Sequence, residues 1–227
     1  MKTVVLSCKT LEDEVNAALQ ATGREYAVEW VESGLHNVPA KLNLRLQEVL
    51  DSIEAERVLL AMGYCGNAVN GLKTGSFELI LPKVDDCISL LLGSVERRME
   101  VARDHAAYFF TEGWLRGERN ILVEYEYSVK KYGQDTADMI MGMMYSHYRT
   151  LAVLDCGITP VEPVCEQVKP LAELLDMQPK VIPASTGYIE DLLRGPWDDE
   201  SRFLCIPPHT EITQDMLSLS CPASSLQ

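Results

Sequence analysis

Basic side chains are in short supply. The 227 residues hold 20 Lys and Arg against 34 Asp and Glu, a formal net charge of −14, and the sequence pI is near 4.7. Nucleic-acid backbones and anionic membranes recruit clustered cations, so neither is expected as a main partner. Long apolar runs are missing too. No stretch approaches the ~20 residues of a membrane span, and the start, Met1-Lys2-Thr3-Val4-Val5-Leu6-Ser7-Cys8, has no signal-peptide core or small-residue cleavage site. A cytoplasmic location is the expectation. There is no Walker-type Gly-Lys-Ser/Thr loop, no complete Gly-x-Gly-x-x-Gly fingerprint, no Gly-x-Ser-x-Gly elbow and no His-Glu-x-x-His helix. Nucleotide-dependent catalysis therefore lacks support. Internal repeats, low-complexity tracts and long linkers are also wanting.

What is present is enough apolar surface for a core, at 47% hydrophobic residues, arranged in a βαβα rhythm. A strand from Thr3 to Ser7 precedes a helix that Thr10 is placed to cap, with Glu12, Asp13 and Glu14 in its first turn, where carboxylates suit the helix dipole. A second strand fits Glu25 to Val31. The Gly34 to Pro39 loop then breaks the chain before a helix lined by Leu42, Leu44, Leu46, Val49, Leu50 and Ile53. Compact apolar runs from Arg57 to Met62 and from Phe77 to Leu81 read as buried parallel strands. One helix is expected after Cys87, a strand from Tyr108 to Thr111, and helices from Arg116 to Tyr148 broken at Tyr132-Gly133. The Met139 to Met144 cluster there reads as core filler. A second α/β unit follows, with strands at Thr150 to Leu154, Lys180 to Pro183 and Arg202 to Ile206, and helices at Val161 to Leu175 and Tyr188 to Leu193.

The expected class is α/β: two Rossmann-like lobes, or one doubly wound, mostly parallel sheet with a helical insertion. The corresponding division is 1–112 for an N-terminal Rossmann-like lobe, 113–148 for the insertion, and 149–227 for a C-terminal α/β lobe and a tail from Asp215.

The cysteines fall where such a fold does its chemistry. Seven in number and scattered, they do not look like the even, tightly spaced framework of a small secreted scaffold, so reduced thiols or thiolates are expected. Cys8, Cys65, Cys87 and Cys156 each stand at or just after a strand end. In an open parallel sheet those ends face one crevice, where ligands bind. Thiolates gathered there repel one another unless a cation holds them, which points to Zn²⁺, an iron–sulfur cluster or another soft metal. The competing readings are a reactive thiol and a set of small buried hydrophobes. Cys165, Cys205 and Cys221 read as structural.

Neighbouring residues extend the candidate site. Gly66 and Gly71 permit left-handed backbone close to a ligand, and Asn67 and Asn70 offer amides. Asp85-Asp86-Cys87 sets two carboxylates beside a thiol where a helix begins. The helix dipole lowers a thiol pKa there and the carboxylates raise it. His36 sits in a loop on the same expected edge; His105 and His147 lie in helical stretches, and His209 follows the last strand. Trp114 is expected at a lobe interface.

Leu59-Leu60-Ala61-Met62-Gly63-Tyr64-Cys65-Gly66-Asn67 and Pro82-Lys83-Val84-Asp85-Asp86-Cys87-Ile88-Ser89-Leu90-Leu91-Leu92-Gly93-Ser94 resemble the domain-of-unknown-function 1638 family. The likeness runs from the strand ending in Cys8, through Gly34-Leu35-His36 and the Tyr108 to Trp114 segment, to Arg202–Pro208. The resemblance implies a bacterial or archaeal protein, frequent in anaerobes, near methylamine or other one-carbon metabolism linked to corrinoid-dependent methyl transfer. Cys8, Cys65 and Cys87 match the family's cysteine positions, whereas Thr is expected where Cys156 stands. The leading expectation is a metal- or cluster-binding enzyme or accessory protein whose partner is a small-molecule substrate, a corrinoid or a corrinoid protein; a homo-oligomer is compatible with it. The rivals are a non-catalytic small-molecule or corrinoid binding module with structural cysteines, and a thiol enzyme using Cys65 or Cys87 with His36 as base.

Overall fold

The computed structural model describes residues 2–117 and 120–218. Its first sheet is built from β1 (Thr3–Cys8), β2 (Ala27–Val31), β3 (Arg57–Ala61), β4 (Glu78–Pro82) and β8 (Phe203–Ile206), in the order β2-β1-β3-β4-β8. The first four run parallel and β8 lies antiparallel on β4. Strands covered on both faces must be apolar on both, and Val4 to Cys8, Val58 to Ala61 and Leu79 to Pro82 are all buried.

The pairing register sorts these side chains into two layers. Val5 pairs with Leu59 and Leu59 with Ile80, and all three join one core cluster, which α1 (Glu12–Thr22) enters with Val15 and Ala18, and α9 (Gly187–Arg194) with Ile189 and Leu192. Leu6, Leu60, Val58 and Leu79 face the other way, onto α2 (Pro39–Ser52). That helix buries Leu42, Leu46, Val49 and Leu50, an apolar stripe at helical spacing, while Leu44, expected to line it too, falls on the outer face and is exposed; the helix starts on Pro39, whose fixed φ suits a first turn.

The second sheet holds β5 (Ala107–Phe110), β6 (Thr150–Asp155) and β7 (Gln178–Pro183), parallel and in that order. One face packs Phe110, Leu151 and Val153 against Val164, Val168 and Leu171 of α8 (Glu162–Leu174). The other face gives Phe109, Ala152, Leu154 and Ile182 to the cluster that also holds Val5 and Leu59. One apolar layer thus joins the two sheets. A helical hairpin, α6 (Ile121–Tyr132) and α7 (Gln134–Met144), enters the chain between β5 and β6. Met141 is buried there, but Met139, Met143 and Met144 are exposed, so the methionines are core filler at only one of these positions.

The arrangement is a mixed α/β fold with two sheets, not one continuous sheet. The last strand, expected with the second α/β unit, completes the first sheet instead. The single helix expected after Cys87 is two: α3 (Cys87–Leu92) ends on Gly93 at φ +89°, and Ser94 caps α4 (Val95–His105) by accepting from the Arg97 amide. Thr10 does not cap α1; it lies in a 3-10 turn, Lys9–Leu11, ahead of it. Among the described residues no helix is long and apolar enough to cross a membrane. Cys221 and most of the tail lie outside the described residues.

Candidate functional site

Three consecutive parallel strands of the first sheet end at one edge, and the residues after them set the site. β1 ends on Cys8, which is buried and whose thiol donates to Thr10 Oγ1 at 3.2 Å. Burial, then the nearby Cys87, pushes the Cys8 thiol up to about 11.

Beyond β3 the chain passes Gly63 and turns sharply. Cys65, Gly66 and Asn67 all take positive φ, at +46°, +68° and +66°. Two of these are not glycine, and such backbone persists only when its surroundings hold it. Here the Tyr64 amide donates to Val84 O at 3.0 Å and the Cys65 amide to Asp85 O at 2.8 Å, lacing the turn to the segment after β4. From the other side Asn43 of α2 donates to the carbonyls of Ala68 and Asn70 at 2.8 and 2.9 Å.

After β4, Asp86 caps α3: one carboxylate oxygen accepts from the Ser89 amide at 2.8 Å and the other pairs with Arg98 Nε at 3.1 Å. Cys87 is the first residue of that helix. Its thiol is raised well above the usual value, first by a hydrogen bond with the Cys65 thiol, then by burial, with the Asp86 carboxylate adding to both. Of the opposing influences read from the sequence, those that keep the thiol protonated win.

Cys8, Cys65 and Cys87 line a single cavity of about 230 Å³ together with His36, Asp86 and Gly66. Leu42, Met62, Ile88 and Trp114 supply apolar wall, and Thr10 and Glu32 complete it. Glu32 is paired with Arg45 at 3.0 Å, as Asp86 is with Arg98, so both carboxylates are balanced by guanidinium groups. The His36 ring packs on Trp114 in a tilted arrangement, centroids 5.0 Å apart, and burial lowers its pKa against the opposing pull of Asp86, which favours the neutral imidazole. Trp114 belongs to a short helix, Glu112–Leu115, that follows β5 and is capped by Thr111. The second sheet therefore contributes one wall of a cavity otherwise built on the first.

A second, more open cavity of about 460 Å³ backs onto the same turn. Gly66 lines both, and Tyr64, Asn67, Asp85 and Gln214 line the second.

The remaining expected residues are placed apart. Cys156 follows β6 of the second sheet, does not line the thiol cavity, and packs on the shared core layer facing Glu14. Burial, then Glu14, pushes its thiol up to about 12. Asn70 and Gly71 line neither cavity; Gly71 N donates to Ile212 O at 2.8 Å, anchoring the far end of the turn. Glu32, Thr10, Leu42, Met62 and Ile88 were not singled out from the sequence as site residues, whereas Trp114, expected at a lobe interface, enters the cavity from the second sheet. Glu32 follows the last residue of β2, so the strand-end rule that selected the cysteines applies to it equally. Among the described residues no three His, Cys, Asp or Glu side chains already stand as the ligands of one ion. Cys8, Cys65 and Cys87 converge on the cavity without closing on a common centre.

Residues 30–193 match the sequence model of a family described as "Protein of unknown function (DUF1638)". No curated protein and no solved structure matches the chain.

Proposed function

The chain belongs to the DUF1638 family, and we propose that it binds a soft metal, as Zn²⁺ or as an iron–sulfur cluster, through Cys8, Cys65 and Cys87. The observation that carries this reading is that three thiols from three separate strand ends line one cavity. Burial and mutual proximity hold Cys8 and Cys87 protonated. A soft cation reverses that balance, because it binds the thiolate and releases the proton. The imidazole of His36 lines the same cavity and borders the coordination position that three thiolates leave open.

Elevated thiol pKa values count against the rival in which Cys87 is a free nucleophile, since an activated cysteine is shifted downward. The apolar wall of Leu42, Met62, Ile88 and Trp114 favours a second reading, a binding site for a small apolar molecule with structural cysteines. In the metal reading the same wall keeps water from the site and shapes an open coordination position.

Where a bound metal serves catalysis, it would supply an activated thiolate, and methyl transfer to or from a thiol or corrinoid is the reaction we propose for it. His36 and Gly66 then border the substrate. A corrinoid or corrinoid protein is the proposed partner, and a reducing compartment, the cytoplasm, the proposed location.

The test is elemental analysis of protein purified without oxygen, together with its visible absorption. Bound zinc or iron near stoichiometry supports the reading. Less than about a tenth of an equivalent of zinc, iron, cobalt or nickel, with no zinc taken up on titration, overturns it.

A further inference from the structure

We infer that Cys65 and Cys87 form a reversible disulfide that shuts the cavity to metal, a regulation of the site that rests on the ligand role proposed above. The pair is set apart from Cys8 by its surroundings. Cys65 and Cys87 line the same cavity from two loops that are laced together, whereas the Cys8 thiol is engaged with Thr10. Their backbones are held together independently of the sulfurs, by the Tyr64 to Val84 and Cys65 to Asp85 hydrogen bonds and by Gly63, which lies so close to Asp86 that a Cβ on it would meet the Asp86 backbone at 2.5 Å. Bridging needs side chains from two segments already at close approach, and these loops supply it.

The two thiols also differ in reach. Cys87 packs against both core clusters, while Cys65 sits in the turn and touches only one. An external disulfide therefore meets Cys65 first. Its thiolate attacks one sulfur of a small-molecule disulfide RSSR; the S–S bond breaks, and RS⁻ leaves and takes up the Cys65 proton. The Cys87 thiol, protonated until then, passes its proton to the departing RS⁻ as its sulfur attacks the Cys65 sulfur of that mixed disulfide; the Cys65–SR bond breaks and the second RSH leaves. Two protein thiols are oxidised and RSSR is reduced to two RSH. The resulting bond consumes two of the three sulfur ligands, so metal leaves as the disulfide closes.

The experiment uses the full chain loaded with zinc alone and then treated with hydroxyethyl disulfide. Non-reducing peptide mapping by mass spectrometry reads the bond, and a zinc-sensitive dye reads the metal. The expected result is a Cys65–Cys87 cross-link with zinc released in step, both reversed by dithiothreitol and fresh zinc. Cys8→Ser keeps the cross-link and Cys65→Ser loses it. Zinc-loaded protein that ends only in mixed disulfides, or that joins Cys8 to either partner, overturns the disulfide. A Cys65–Cys87 cross-link that leaves zinc in place overturns the gating. A reduced chain that takes up no zinc overturns the ligand reading, and the gating with it, while mapping of that metal-free chain still decides whether the bond forms.

Discussion

The backbone of Gly63 lies against that of Asp86 so tightly that a Cβ at position 63 would stand 2.5 Å from the Asp86 Cα and carbonyl carbon. Both groups are main chain, so neither rotates away. Gly63→Ala must therefore push apart the turn bearing Cys65 and the cap bearing Cys87. We expect a loss of roughly 2 kcal/mol or more in urea unfolding, in the upper part of the range for overpacking, and weakened zinc uptake. A Gly63→Ala protein of unchanged stability and zinc affinity would show that the contact is not needed.

Ligand and bystander cysteines separate by metal content. Cys8→Ala, Cys65→Ala and Cys87→Ala are each expected to weaken zinc binding by roughly 100-fold or more, whereas Cys156→Ala keeps full occupancy, because Cys156 faces Glu14 and not the cavity. Zinc competition with a chromophoric chelator measures all four. Metal loss in Cys156→Ala alone would relocate the site to the second sheet.

That contrast also shows how far the sequence carried. Strand ends were legible because buried parallel strands are short apolar runs with sharp stops, and Cys8, Cys65 and Cys87 follow three strands that pair in one sheet. The rule that strand ends share an edge holds within a sheet. Cys156 follows a strand of the other sheet, and nothing local in Thr150 to Leu154 says which sheet it joins. The same non-locality hid the return of Phe203–Ile206 to β4, since an apolar run reads alike whether its neighbour is parallel or antiparallel. The division after α3 was hidden differently. Ile88 to Leu92 and Val95 to Val101 read as one helix unless Gly93-Ser94 is taken as a stop followed by a cap.

Tyr64 is buried, at 4% exposure, and its hydroxyl finds no hydrogen-bond partner among the described residues. An unpaired buried hydroxyl costs free energy that a ring without it does not. Tyr64→Phe is expected to be as stable as the parent or more so, by up to about 1 kcal/mol. Destabilisation beyond about 1 kcal/mol in thermal or urea unfolding would mean that the hydroxyl has a partner, with the adjoining 460 Å³ cavity the place to seek it.

Among the described residues Glu14 is the other buried side chain with an unpartnered atom, Oε2, and its carboxyl titrates near neutrality. Burial raises its carboxyl from 4.5 to about 7, and the Asp13 and Glu112 carboxylates act in the same direction against Arg116. Folded chains therefore hold a proton that unfolded chains have lost between those two values, so this group makes the protein less stable as pH rises through that window. Below about 4.5 both states are protonated and the effect vanishes; above about 7 it is complete, at about 3 kcal/mol. Glu14→Gln keeps the shape and removes the charge. We expect the variant to be more stable than the parent at pH 8 by up to that amount, and the two to converge near pH 4.5. Denaturant unfolding of both at several pH values measures it. Parallel curves across the range would place the Glu14 proton outside the folding equilibrium, and with it the account of a carboxyl held neutral beside Cys156.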